Sequence, residues 1–369
     1  MNIKSLDELK DFYEKNFYLN VNNKNSVFYF CSYVPIEIIH ASNFIPVRLI
    51  TNSTQFVHSD EVVPKYICPY LKSTIEFFIK NEFREKNIIF TDGCDSSRRI
   101  YEIYKEMNLI NKGFYIKIPF NEKEVDINFL KREFENLFIY LSQKIDNDKL
   151  INSIKLFNDG RRKLLNLINK SKDRYSGLTK HYLNLLFQTM DIKDFLNLEV
   201  DFEKKEDINK KGGFYLFSTI FPLDFVEYVE SLGYEIFYDD SCFGEKNLSL
   251  VEYDEKDPIY SLSKYYLQRE GCVRRREIEN KMNNLIKRFK EYNLKGVIIY
   301  NLKYCDPLIF FIPLIKEKLK ENDIPLLIID DDYSLNIKGQ IRTRIEAFME
   351  MLRWILRFLK FHQTFLNQF

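Results

Sequence analysis

The chain has no uninterrupted run of about 18 or more apolar residues, so no segment is expected to span a membrane. It has no Walker A sequence, hence no obvious ATP site of its own, and no Gly-x-Gly-x-x-Gly, which argues against a dinucleotide enzyme. No Cys-x-x-Cys pair is present, so a zinc ribbon or finger is not expected. Charge of one sign is also missing. With 55 basic and 54 acidic residues the net charge is +1, which leaves no footprint for nucleic acid. The four histidines, His40, His58, His181 and His362, share no motif and read as packed or surface residues. The opening ten residues are amphipathic and contain acids, unlike a signal peptide, so a cytoplasmic protein is expected.

What is present is a large apolar fraction, 45% hydrophobic and 16% aromatic, enough for a sizeable core and against global disorder. A length of 369 residues suits two domains with a connector. Six cysteines in a reducing compartment point to metal ligands or redox groups rather than disulfides.

Two stretches set the pattern. Gly296–Pro307 reads as a buried strand ending in Cys305, with Asp306 as the expected helix cap and Pro307 at the first helical position. Asn87–Arg99 repeats the device with Cys94 and Asp95. Both cysteines would then lie at the carboxyl edge of a parallel sheet, where α/β proteins place ligands.

In chain order, residues 1–20 read as an amphipathic helix, and strands are expected at 26–30, 44–50, 88–91 and 114–119. Asn43 takes a position where φ > 0 is expected. Cys68-Pro69 lies in a loop before a helix. Helical periodicity fills 121–191, and 201–213 is charged, closed by two glycines, and reads as a linker. Strands return at 214–218, 234–238, 297–302 and 325–330, followed by a helix over 340–352. The acid runs Asp239-Asp240 and Asp330–Asp332 read mainly as helix caps.

The halves align. Phe30-Cys-Ser-Tyr-Val-Pro35-Ile-Glu-Ile-Ile matches Phe217-Ser-Thr-Ile-Phe-Pro222-Leu-Asp-Phe-Val without a gap, and Cys94-Asp95 matches Cys305-Asp306. The expected fold is α/β: two duplicated four-stranded parallel-sheet domains, flavodoxin- or Rossmann-like, over 1–120 and 212–352. A helical connector and linker occupy 121–211, and an atypical basic-aromatic tail 353–369, a candidate membrane-surface or partner helix. Two sheets facing each other would bring six thiols toward one cleft. Thiolates select zinc, copper(I) or iron–sulfur clusters, and single cysteines at strand ends suit a cluster bridging two domains. Plain core packing remains the other reading, most of all for Cys31, Cys242 and Cys272.

The segments Cys31–Ala41, Phe44–Arg48, Cys68–Ser73, Asp92–Arg99, Asp239–Gly244, Lys303–Pro307 and Gly339–Leu352 resemble the 2-hydroxyacyl-CoA dehydratase and benzoyl-CoA reductase superfamily. The resemblance implies an oxygen-sensitive subunit in which Cys68, Cys94 and Cys305 hold one [4Fe–4S] cluster. It implies an acyl-CoA substrate, a homologous second subunit or a homodimer, and a separate ATP-hydrolysing activator iron–sulfur protein that injects one electron. Water would leave an (R)-2-hydroxyacyl-CoA through a ketyl radical of the thioester. All six cysteines, Cys31, Cys242 and Cys272 included, also match a branch with a double-cubane [8Fe–9S] cluster, and ATP-dependent benzoyl-CoA reductase-like subunits carry cysteines near Cys242 and Cys272. A non-catalytic scaffold subunit is a third reading. Ser32 and Glu37 are catalytic candidates, for hydrogen bonding the thioester or moving a proton; a helix start with its first-turn acid is the plainer role. Arg98, Arg99 and Arg274–Arg276 could meet CoA phosphates.

Overall fold

The computed structural model describes residues 2–51, 55–81, 83–170, 175–202, 211–274, 278–333 and 337–366, with backbone alone at 170 and 355–366. A two-residue strand, β1 (Asn2–Ile3), precedes the first four-stranded sheet. That sheet contains β2 (Ser26–Tyr29), β3 (Ile45–Arg48), β4 (Asn87–Thr91) and β5 (Lys112–Ile116) in the order β3-β2-β4-β5, all parallel. β6 (Glu199–Val200) pairs with β1. The second sheet contains β7 (Gly213–Ser218), β8 (Glu235–Asp240), β9 (Gly296–Leu302) and β10 (Leu326–Asp331) in the order β8-β7-β9-β10, again all parallel.

Both sheets therefore have their second strand outside the first, then the third and fourth. The order reverses between β2 and β4 and between β7 and β9, and these switch points open a crevice at the carboxyl edge. The expected α/β duplication is the fold. The aligned prolines play the same part in each half: Pro35 and Pro222 cap helices Ile36–Ala41 and Leu223–Ser231. All residues of β2 and β9 are buried, as parallel strands covered on both faces require. Asn43 has φ 63°, as expected.

Four differences have physical causes. The first helical carbonyl after β9 belongs to Cys305, which accepts from the Leu308 and Ile309 amides, so Cys305 is the cap and Asp306 stands in the first turn. The helix, Asp306–Ile309, is short; a new one, Ile312–Glu321, starts with Pro313, whose ring and missing N–H interrupt continuation. β1 and β6 are too short for a period-2 signal. The helix Gly339–Leu366 runs through the boundary placed at 352, and its side chains from 355 onward lie outside the described residues. Of the 201–213 linker, 203–210 also lie outside them.

The connector is a pillar between the sheets. Its helices Glu124–Ser142, Asn147–Lys170 and Gly177–Thr189 follow β5, and every residue of the last is buried, with contacts to both β3 and β8. Gly177 is required there, since a Cβ would come within 2.4 Å of the Ile236 carbonyl oxygen.

Candidate functional site

Five of the six cysteines follow a strand end or open a helix; Cys272 lies in the connection between helices Pro258–Gln268 and Ile278–Glu291. Cys31 comes two residues after β2, Cys94 three after β4, Cys242 two after β8 and Cys305 three after β9, while Cys68 precedes helix Pro69–Asn81. The carboxyl-edge loops of the two sheets and the connection that carries Cys272 together bring all six thiols, Cys31, Cys68, Cys94, Cys242, Cys272 and Cys305, to the wall of one cavity of about 100 Å³. Phe30, Leu71, Ile220 and Leu302 make the rest of the wall largely apolar.

The thiols fall into two groups. Cys94 caps helix Asp95–Glu106, its sulfur accepting from the Ser97 amide at 3.3 Å, and it lies within electrostatic reach of Cys68 and Cys305 and, across the boundary of the two groups, of Cys31. The Thr219 hydroxyl lies 3.4 Å from the Cys305 sulfur. Cys31, Cys242 and Cys272 share a smaller adjoining cavity with Lys246, and Cys242 hydrogen-bonds Cys272. Burial pushes the Cys68 and Cys94 thiols up and takes Cys305 to about 12; the neighbouring thiols add to it. Within the second group, the hydrogen bond raises Cys242 well above an ordinary thiol and lowers Cys272 to about 7.

Among the described residues no three His, Cys, Asp or Glu side chains close on the spacing of a single metal ion. A polynuclear core separates its thiolate ligands further than one ion does. The donor set, soft and undiluted by histidine or carboxylate, fits iron–sulfur and not a hard cation.

Behind the cavity stands a set of buried charges. Arg48, 2% exposed, donates to the carbonyls of Phe30 and Cys242 and to the Gln188 side chain, joining both halves to the pillar. Its guanidinium lies 4.4 Å from the centre of the Phe243 ring. Asp240 accepts from Lys281 at 2.6 Å and from the Tyr215 hydroxyl, and Lys246 stands 3.5 Å away. These residues are what sequence reading missed; the signal was a charged residue inside an otherwise apolar strand, at Arg48. Asp239 and Asp240 are not helix caps: Asp239 meets His181 at 3.0 Å and the Ser241 amide, and Asp240 holds the lysines.

Ser32 and Glu37 are separated by the fold. The Ser32 hydroxyl donates to the Cys242 carbonyl at 2.9 Å and accepts from Arg48, at the rim of the second thiol group. Glu37 does not line the thiol cavity. It is fully buried, one oxygen paired with Arg161 and the other accepting from Tyr266 at 2.9 Å, so both of its oxygens are engaged. Arg98 and Arg99 are exposed on helix Asp95–Glu106, Arg99 with Glu102. Arg274 is folded against Asp92 and the Phe120 ring, and Arg275 and Arg276 lie outside the described residues.

Two α/β units of one topology, gathering thiols between their carboxyl edges, define a class of duplicated cysteine-cavity proteins. The profile of the family described as 2-hydroxyglutaryl-CoA dehydratase, D-component, matches residues 31–352, from the first cysteine into the last helix. The chain belongs to that family. It is 24% identical over 342 residues to the (R)-phenyllactyl-CoA dehydratase beta subunit of Clostridium sporogenes, covering 87% of this chain and 90% of that one. It is also 24% identical to one of the benzoyl-CoA reductase subunits of Thauera aromatica, over 83% and 85% of the two chains. The (R)-2-hydroxyglutaryl-CoA dehydratase subunit beta of Acidaminococcus fermentans is 22% identical over 87% and 90%. No helix among the described residues is long and apolar enough to cross a membrane.

Proposed function

We propose that this chain is the iron–sulfur subunit of an (R)-2-hydroxyacyl-CoA dehydratase, with Cys68, Cys94 and Cys305 holding a [4Fe–4S] cluster. The observation that carries the reading is the convergence of thiols from both sheets on one cavity. When bound, such a cluster supplies single electrons and Lewis acidity toward a substrate oxygen. The protein's own residues prepare the place. Phe30, Leu71, Ile220 and Leu302 exclude water, and Thr219 offers its hydroxyl to the Cys305 sulfur. Arg48 and Ser32 fix the Cys242 loop against the first sheet. Ser32 stands beside the thiols and could hold a thioester oxygen only by giving up its bond to the Cys242 carbonyl; Glu37, already doubly engaged, works as a structural acid. A homologous partner subunit and a separate ATP-driven electron donor complete the system, in keeping with relatives described as beta subunits and with the missing Walker A sequence.

The grouping of Cys31, Cys242 and Cys272 beside the first three favours a second reading, a reductase holding a double-cubane [8Fe–9S] cluster on all six. The test is turnover under strictly anaerobic conditions with the homologous subunit and a reduced activator. The wild-type chain is expected to form enoyl-CoA from an (R)-2-hydroxyacyl-CoA, and Cys305→Ala to lose at least about a hundredfold, as loss of a group on which the chemistry depends does. Equal turnover by the two would refute the assignment.

A further inference from the structure

The cavity is over-supplied with buried positive charge. Among the described residues Arg48 has no carboxylate partner: its donors go to two carbonyls, the Gln188 amide oxygen and the Ser32 hydroxyl. Asp240, 1% exposed, faces two ammonium groups, Lys281 and Lys246, themselves 5% and 6% exposed. Of the other acids nearby, Glu270 is taken by Arg288 and Glu37 by Arg161, while Asp239, bonded to His181 and the Ser241 amide, also attracts Lys246. Even so, the three cations Arg48, Lys246 and Lys281 face only two carboxylates, Asp239 and Asp240. Lys246 lines the same small cavity as Cys31, Cys242 and Cys272. An uncompensated buried cation is strongly disfavoured, so a site with this surplus is built around an anionic occupant.

We propose that Lys246 is a positioning residue for that occupant: with Lys281 and Arg48 it supplies the surplus positive charge that balances the thiolate-held group and raises its reduction potential. The inference rests on the iron–sulfur reading above and adds to it a residue that ligates nothing. Positive charge at fixed distance favours the reduced, more negative form of the group, and a low-dielectric surrounding strengthens the effect.

Lys246→Met removes one charge of the surplus while leaving Asp240 and Lys281 as a matched pair and Arg48 in place. In the full chain purified anaerobically, Lys246→Met is expected to keep wild-type iron and sulfide. Its one-electron midpoint potential, followed by EPR-monitored titration, is expected to shift negative, and Lys246→Arg to restore it. Asp240→Asn increases the surplus, so its potential is expected to shift positive; this variant carries the test if Lys246→Met does not accumulate. Iron-loaded variants with unchanged potentials, or shifts of the reverse sign, overturn the inference while leaving the cluster assignment standing. A wild-type chain that holds no iron overturns the assignment itself, and the inference with it.

Discussion

At the scale of single residues, the site is shaped by which polar groups burial leaves satisfied. Glu245, half-buried beside Asp239, shows the effect on a group outside the thiol wall: burial pushes its carboxyl up to about 7 from an ordinary 4.5. Below 4.5 the carboxyl is protonated in both the folded and unfolded chain. Between 4.5 and 7 the unfolded chain sheds the proton while the folded one keeps it, so stability is lost as pH rises through that window. Glu245→Gln is therefore expected to be near neutral at pH 4.5 and stabilising by on the order of 2 kcal/mol at pH 8. Denaturant midpoints at the two pH values check this; an equal effect at both would show that the carboxyl is ionised throughout.

The cysteines were legible because their signal is local: a strand, a thiol and a helix start within a dozen residues. Arg48, Lys246 and Lys281 were not. Their meaning lies in partners at Gln188, Cys242 and Asp240, which spacing along the chain does not reveal. The same blindness assigned Asp239 and Asp240 to helix caps. Ser32 and Glu37, five positions apart, looked like neighbours at one mouth. Ser32 precedes helix Ile36–Ala41 and turns to the Cys242 loop, while Glu37 inside that helix turns to Arg161 and Tyr266.

At the scale of elements, helix Gly177–Thr189 decides how the halves meet. Its polar residues Lys180, His181 and Gln188 suggest a solvent face, yet each is buried against Glu235, Asp239 or Arg48. Polar side chains inside are tolerated because each is hydrogen-bonded. The helix can approach the second sheet only because Gly177 has no side chain: an added Cβ would meet the Ile236 carbonyl oxygen at 2.4 Å and a Glu230 carboxylate oxygen at 2.9 Å. Gly177→Ala is expected to destabilise the chain by about 1–3 kcal/mol. A lowered denaturant midpoint at unchanged slope would report this. An unchanged midpoint would mean that the helix is not pressed against β8. The strand positions and the Asn43 turn were readable from local pattern alone. The pillar's burial was not, because its partners come from both ends of the chain.

For the whole molecule, one duplicated unit supplies the geometry and its divergence supplies the chemistry. The two sheets share a strand order, so their carboxyl edges can face each other. The second half adds what the first lacks: the Asp240–Lys246–Lys281 cluster and the Cys242–Cys272 pair beside the seam. The seam is closed by Arg48 and Ser32 from the first half gripping the Cys242 carbonyl of the second. Because burial holds Cys68, Cys94 and Cys305 protonated, taking up a metal there must release protons. The most direct check is iron and acid-labile sulfide per chain in anaerobically purified protein, with Mössbauer spectroscopy to identify the iron. Thiols that grip a cluster between the halves should yield about four irons per chain, or about eight if all six serve, in a cluster signature that Cys68→Ala, Cys94→Ala and Cys305→Ala each abolish. A chain with no iron, or one whose iron survives all three substitutions, would contradict it.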